Sequence, residues 1–181
     1  MIKHKKIAKQ QGAVLITVLI LTLGLTVLVL SQMDIIILDE KVIANQKDRS
    51  LAFQAAESAI REAENWLVDQ ATEPEPMTNG ASNVWVTDAP SANNEWWMYN
   101  DNTWWKSSAS QAMAAQSDLP GIEASNKPRY IIEHYAYVQD TLVSGQQRDE
   151  LGRDFYRITA RGYGGTETAR VTLQSTYTRR Y

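Results

Sequence analysis

The sequence predicts an α+β protein: a long N-terminal helix packed in its second half against a C-terminal antiparallel sheet. Three observations carry that expectation. Residues 13–30 form an 18-residue apolar run without a charge. From Ser31 to Gln70 there is neither proline nor glycine, and the composition is rich in helix-favouring Ala, Leu, Glu, Gln, Lys and Arg. The last fifty or so residues hold a β-rich stretch, 130–138, and two stretches, 155–161 and 169–177, that alternate apolar and polar side chains with the period of a half-buried strand.

The first element is short and basic. Lys3, Lys5, Lys6 and Lys9 precede Gly12, with no acidic residue among them. The run from Ala13 to Leu30 is close to the ~20 residues that cross ~30 Å of hydrocarbon. Thr17, Thr22, Thr26 and Gly24 interrupt it, and threonine hydroxyls can bond back to the helix backbone. The lysines favour a cytoplasmic N-terminus with the remainder outside. A secretory signal carries its small-residue cleavage site behind its apolar run. Here the Gly12-Ala13 junction lies in front of it.

The second half of the helix, 31–70, is amphipathic. Phe53, Ala56, Ile60, Ala63 and Leu67 are spaced 3, 4, 3 and 4, so they share one face. Asp48 and Ala52 lie on the more polar side, and Glu57 with Arg61 forms an i,i+4 ion pair. The X-Pro steps of 72–76 (TEPEP) cannot continue a helix, so one helix is expected from Ala13 to Asp69. Residues 71–128 are irregular and rich in tryptophan. In 129–181 the strand candidates are 130–138 (YIIEHYAYV), 155–161 (FYRITAR) and 169–177 (ARVTLQSTY). In the last, Val171, Leu173 and Tyr177 face one way, and Arg170, Thr172, Gln174 and Thr176 the other. Residues 162–168, with three glycines, supply the turn before it.

Charge and composition narrow the function. The chain has 18 Lys and Arg against 21 Asp and Glu; the part after Gly12 keeps 14 against 21, a net of −7. That is a poor footprint for non-specific nucleic-acid binding. With no cysteine, neither a disulfide framework nor a thiolate metal site is available. Of the two histidines, His4 lies before Gly12 and His134 sits alone in a strand, so neither suggests catalysis. No G-x-S-x-G, H-E-x-x-H or G-x-x-x-x-G-K occurs, and neither a cofactor nor a metal site is read from the sequence.

Trp85, Trp96, Trp97, Trp104 and Trp105 fall within 21 residues, among Asn93, Asn94, Tyr99, Asn100, Asp101 and Asn102. Two readings stand. Trp96, Trp97, Trp104 and Trp105 could offer an aromatic platform to a partner protein or a sugar. Alternatively, they anchor a loop-rich segment onto the sheet and helix. The Asn/Asp cluster lacks the D-x-[DN]-x-[DN]-G pattern of a calcium loop.

Several stretches resemble the type IV pilin architecture, and within it the PilX-type minor pilins. They are 10–16 (QQGAVLI), 48–57 (DRSLAFQAAE) leading into 59–64 (AIREAE), and 156–161 (YRITAR) with 171–175 (VTLQS). The resemblance covers the first seventy residues and the last twenty-five; the middle resembles no named family. It implies a leader, 1–12, cut after Gly12 by a prepilin peptidase, with N-methylation of Ala13. It also implies an apolar helix retained first as an inner-membrane anchor and later as part of a filament core. The implied protein is a non-enzymatic minor pilin that primes pilus assembly in a tip complex, for twitching motility and adhesion. Its implied partners are other minor pilins, the major pilin and often a large PilY-type adhesin.

The chain departs from the common pilin pattern, which has Phe after the cut and Glu four residues on; here stand Ala13 and Thr17. Threonine cannot neutralise an amine in an apolar core, where an unpaired charge is expensive. Thr17 therefore points to the tip rather than the shaft. The rival readings are a K-type pseudopilin of type II secretion, which usually carries a much larger inserted domain, and a membrane-anchored carbohydrate- or protein-binding module.

Overall fold

In the computed structural model, residues 12–87, 96–107, 111–112, 119–140 and 152–181 are described; the leader expected at 1–12, apart from Gly12, lies outside them, as do Asn93 and Asn94. Helix α1 spans Ala13–Asp69, 57 residues, and stops before the prolines of 72–76 as their backbone constraints require. The chain divides into two compact units, the first ending at Ala44 and the second running Asn45–Tyr181. In the first, the large apolar side chains from Val14 to Leu30 are all more than half exposed.

The second unit holds the sheet. After α1 come β1 (Val84–Val86), a 3-10 turn (Trp96–Met98), α2 (Asn102–Lys106), β2 (Gln111–Ala112), a second 3-10 turn (Ala124–Asn126), β3 (Arg129–Gln139), β4 (Gly152–Tyr163) and β5 (Arg170–Arg179). The three long strands pair antiparallel in the order β3-β4-β5, where β-rich composition and alternation placed them. Strand β5 alternates half-buried and exposed along its whole length, with Val171, Leu173 and Tyr177 on the inner side.

The sheet has two more strands than the alternation shows. Strand β1 runs parallel to β3 (Val84 opposite Ile132) and β2 antiparallel to it (Gln111 opposite Tyr130). Three and two residues are too few to display a period.

The helix face differs from its expected composition. Ala52, Ala55, Ala56, Ala59, Ala63 and Leu67 are fully buried, Ile60 is half-buried, and Phe53 is 48% exposed. Ala52, expected on the polar side, belongs to the contact. The reason is the distance of approach. A Cβ on Gly162 of β4 would lie 2.1 Å from the Ala52 carbonyl oxygen and 2.4 Å from the Ala56 nitrogen, so helix and strand backbones nearly touch there. Large side chains cannot enter such a gap, and alanines fill it.

Gly162 is thus a packing glycine within β4 and no part of the turn. The turn begins at Gly164, whose N–H donates to the Ala169 carbonyl at 2.8 Å. The Asp48 carboxylate, one helical turn before Ala52, accepts from the N–H groups of Gly165 (2.5 Å) and Thr166 (3.3 Å) and from the Thr166 hydroxyl.

Side chains alternate across the sheet. Tyr130, Ile132, Tyr156, Ile158 and Ala160 form one core with Ala59, Ala63 and Leu67 of the helix and Val84 of β1. Ile131 packs with Trp85, Trp96, Trp97 and Trp105 in a second cluster. The sheet is therefore covered on both sides.

Candidate functional site

The apolar segment begins at a distinctive backbone. Gly12 has φ +39°, a region that favours glycine, and its carbonyl accepts the first turn's N–H from Leu15 at 3.1 Å. Ala13 is the first helical residue. The Thr17 hydroxyl donates back to the carbonyls of Val14 (2.9 Å) and Ala13 (3.2 Å), one turn earlier. Thr22 bonds likewise to Val18 and Leu19, and Thr26 to Leu23. With the hydroxyls satisfied by their own helix, the segment presents an almost wholly apolar surface. This helix is long and apolar enough to cross a membrane, with a mean hydropathy of 2.9 over its most apolar 18-residue window.

The tryptophan segment turns inward. Trp96, Trp97 and Trp105 are buried, Trp104 is half-buried, and Trp85 is 5% exposed. The rings meet in tilted and edge-to-face pairs: Trp85–Trp96 at 4.9 Å, Trp96–Trp104 at 5.2 Å and Trp104–Trp105 at 5.4 Å between centroids. Of the four tryptophans read either as a platform or as anchors, three thus have almost no accessible surface in this chain and anchor the segment onto the sheet.

That cover has a polar centre. The Glu133 carboxylate, fully buried, accepts two parallel bonds from the Arg157 guanidinium (2.8 and 2.9 Å) and a third from the Trp96 indole N–H (2.8 Å). The Trp105 indole donates to the Trp97 carbonyl at 3.1 Å, and the Arg161 guanidinium lies 4.5 Å from the Trp105 ring centroid. Burial pulls the Arg161 guanidinium below its ordinary value, although Tyr163 opposes the shift.

The described Asn and Asp residues of this stretch have partners within the fold. Asp101 caps α2 by accepting from the Trp104 N–H at 2.8 Å, and Asn102 accepts from Arg170 at 3.2 Å. Among the described large apolar side chains of 96–107, Met98 and Tyr99 face outward, 53% and 78% exposed.

His134 is not alone. Its Nε2 lies 2.9 Å from Asp154 Oδ1 and 3.9 Å from Glu73 Oε1, and its ring meets Tyr156 edge-on at 5.5 Å. Sequence reasoning missed this group because its members sit 61 and 20 residues from one another, and only strand pairing and the coil after α1 unite them.

Comparison with known families accounts for nearly all of the chain. Residues 66–179 match the family described as type IV pilus assembly protein PilX C-term, and residues 11–61 match the one described as PilX N-terminal. No curated protein and no solved structure matches the chain.

Proposed function

Because the chain belongs to the PilX family of type IV pilus assembly proteins, we propose that it is a minor pilin that primes filament assembly from a tip complex. The observation that carries this reading is the apolar half of α1, more than half exposed from Val14 to Leu30. So large an apolar surface needs lipid or other apolar helices around it. Lipid tails and neighbouring helices are about equally apolar, so transfer from membrane to filament core is nearly balanced in solvation energy. One helix can therefore serve both as inner-membrane anchor and as filament core.

On this reading a prepilin peptidase cuts on the cytoplasmic side between Gly12 and Ala13, and the new amine on Ala13 is methylated. The domain then lies in the periplasm before extraction. Thr17, occupied with its own backbone, offers no carboxylate to a neighbour's amine. In a shaft that loss repeats at every subunit, at several kcal/mol per unpaired buried ion. At the tip the subunit has no neighbour ahead, and the loss is small. The protein accordingly sits at or near the tip in about one copy per complex. Its Ala13 amine there pairs with the carboxylate of another minor pilin. Its partners are the major pilin, other minor pilins and a PilY-type adhesin; twitching motility and adhesion follow from the filament. A carbohydrate-binding module draws little support from Trp96, Trp97 and Trp105, which are buried.

The test is the ratio of this subunit to the major pilin in sheared filaments, with piliation scored in a deletion strain. A ratio that falls as filaments lengthen, with few pili in the deletion strain, is expected. A constant ratio, or abundant pili without the protein, overturns the tip and priming roles.

A further inference from the structure

The group at His134 has the chemistry of a metal site. Its donors come from three elements: Glu73 in the coil four residues past the end of α1, His134 in β3, and Asp154 in β4. One ligand atom from each lies within 4.8 Å of the other two. Four-coordinate zinc, with Zn–N and Zn–O bonds of ~2.0–2.2 Å, sets neighbouring ligand atoms ~3.3–3.5 Å apart. The His134–Asp154 and His134–Glu73 separations, 2.9 and 3.9 Å, stand on either side of that value. The two carboxylates lie within 4.8 Å of each other, so closing on an ion draws them together.

The strand geometry holds two of the donors in place. His134 pairs with Tyr156, and the register shifts between His134 and Ala136, leaving Tyr135 as the extra residue of a bulge. His134 therefore stays on the helix side of the sheet as a diagonal neighbour of Asp154. The Asp154 side chain is 5% exposed, that of His134 16% and that of Glu73 33%. Two donors are thus sheltered, and the third closes the site from the solvent side. The Thr87 hydroxyl bonds to the His134 carbonyl and fixes the strand at that point.

The donor set selects the ion. One imidazole nitrogen with two carboxylate oxygens suits zinc and its transition-metal neighbours, whereas calcium and magnesium favour all-oxygen shells. We propose that Glu73, His134 and Asp154 bind one divalent transition-metal ion of the zinc class, which ties the coil after the long helix to the sheet. In a chain without cysteine, such a clip does what a disulfide cannot do here.

The experiment uses the untagged full chain in detergent, stripped with EDTA and titrated with zinc, then with calcium and magnesium. Calorimetry and thermal unfolding are the readouts. One zinc per chain with a higher Tm is expected, and no comparable shift from calcium or magnesium. Glu73→Gln removes the most exposed donor; its metal-free Tm should match the parent while zinc affinity falls at least tenfold. His134→Gln should lose zinc binding as well. No zinc uptake at micromolar concentration overturns the site, and so does zinc binding that survives Glu73→Gln undiminished.

Discussion

Toward the helix the sheet presents Tyr130, Ile132, Ile158 and Ala160; toward the tryptophans it presents Ile131, Glu133, Arg157, Thr159 and Arg161. The first face is sealed by small residues at near-contact of two backbones, with Gly162 against Ala52 and Ala56. The second is sealed by large rings and a buried ion pair. The difference shows two ways of stabilising one sheet. The helix side relies mainly on shape, through dispersion and area burial, with polar pairs such as Ser175–Glu64 and His134–Asp154 beside the apolar contact. The tryptophan side relies on the hydrogen bonds around Glu133, where each member is expensive to lose because the others stay buried.

Substitutions can break that contrast, beginning where the largest effect is expected. Glu133→Ala leaves the Arg157 guanidinium and the Trp96 indole without their acceptor, and should cost about 3–5 kcal/mol of stability. Chemical denaturation of the full chain in detergent measures it. An effect below about 1 kcal/mol would mean that solvent reaches the pair. Gly162→Ala forces a methyl group into the helix backbone and should cost about 3 kcal/mol, the upper part of the usual overpacking range. An unchanged Tm would show that the helix can withdraw from β4 freely.

A sharper comparison lies along the helix itself. Ala59→Asp places a carboxylate at a fully buried position and should unfold the second unit, whereas Phe53→Ser should change stability by no more than about 0.5 kcal/mol. Ile60→Asp, at a half-buried position, should fall between them. Circular dichroism melts of the three variants, compared at one detergent concentration, would reveal any other order.

The smallest effect concerns Asp48. The Thr166 hydroxyl, first, then the N–H groups of Gly165 and Thr166 hold its carboxyl below the usual carboxylate value, while burial opposes them. A depressed carboxylate contributes its stabilisation above the unfolded-state pKa of ~3.9 and loses it as pH falls through the lower folded value. The group is largely solvated, so the contribution is well under ~1 kcal/mol. Asp48→Asn should therefore lower Tm slightly at pH 6, with the difference from the parent shrinking below about pH 4. A difference that grows on acidification would show that the β4–β5 turn is held by something else.

The long elements were legible in the sequence because their signals are local. The run from Ser31 onward without Pro or Gly carried α1 to Asp69, β-rich composition placed β3, and two-residue alternation placed β4 and β5, each within a few residues of its ends. The Glu57–Arg61 pair, 2.6 Å apart, needs only helical spacing. Thr17 and its neighbours bond back as a hydroxyl in an apolar helix must. Tertiary structure alone decided what depends on approach and pairing. Hydrophobicity marked Phe53 and Ile60 as the contact, but the distance between helix and strand gave it to Ala52, Ala55 and Ala59, since a close approach selects for smallness. The inward turn of the tryptophans follows from an uncovered face of β3 and β4, which no stretch of chain displays by itself. Glu73, His134 and Asp154 meet only because strand register and the coil after α1 bring distant residues within a few ångströms.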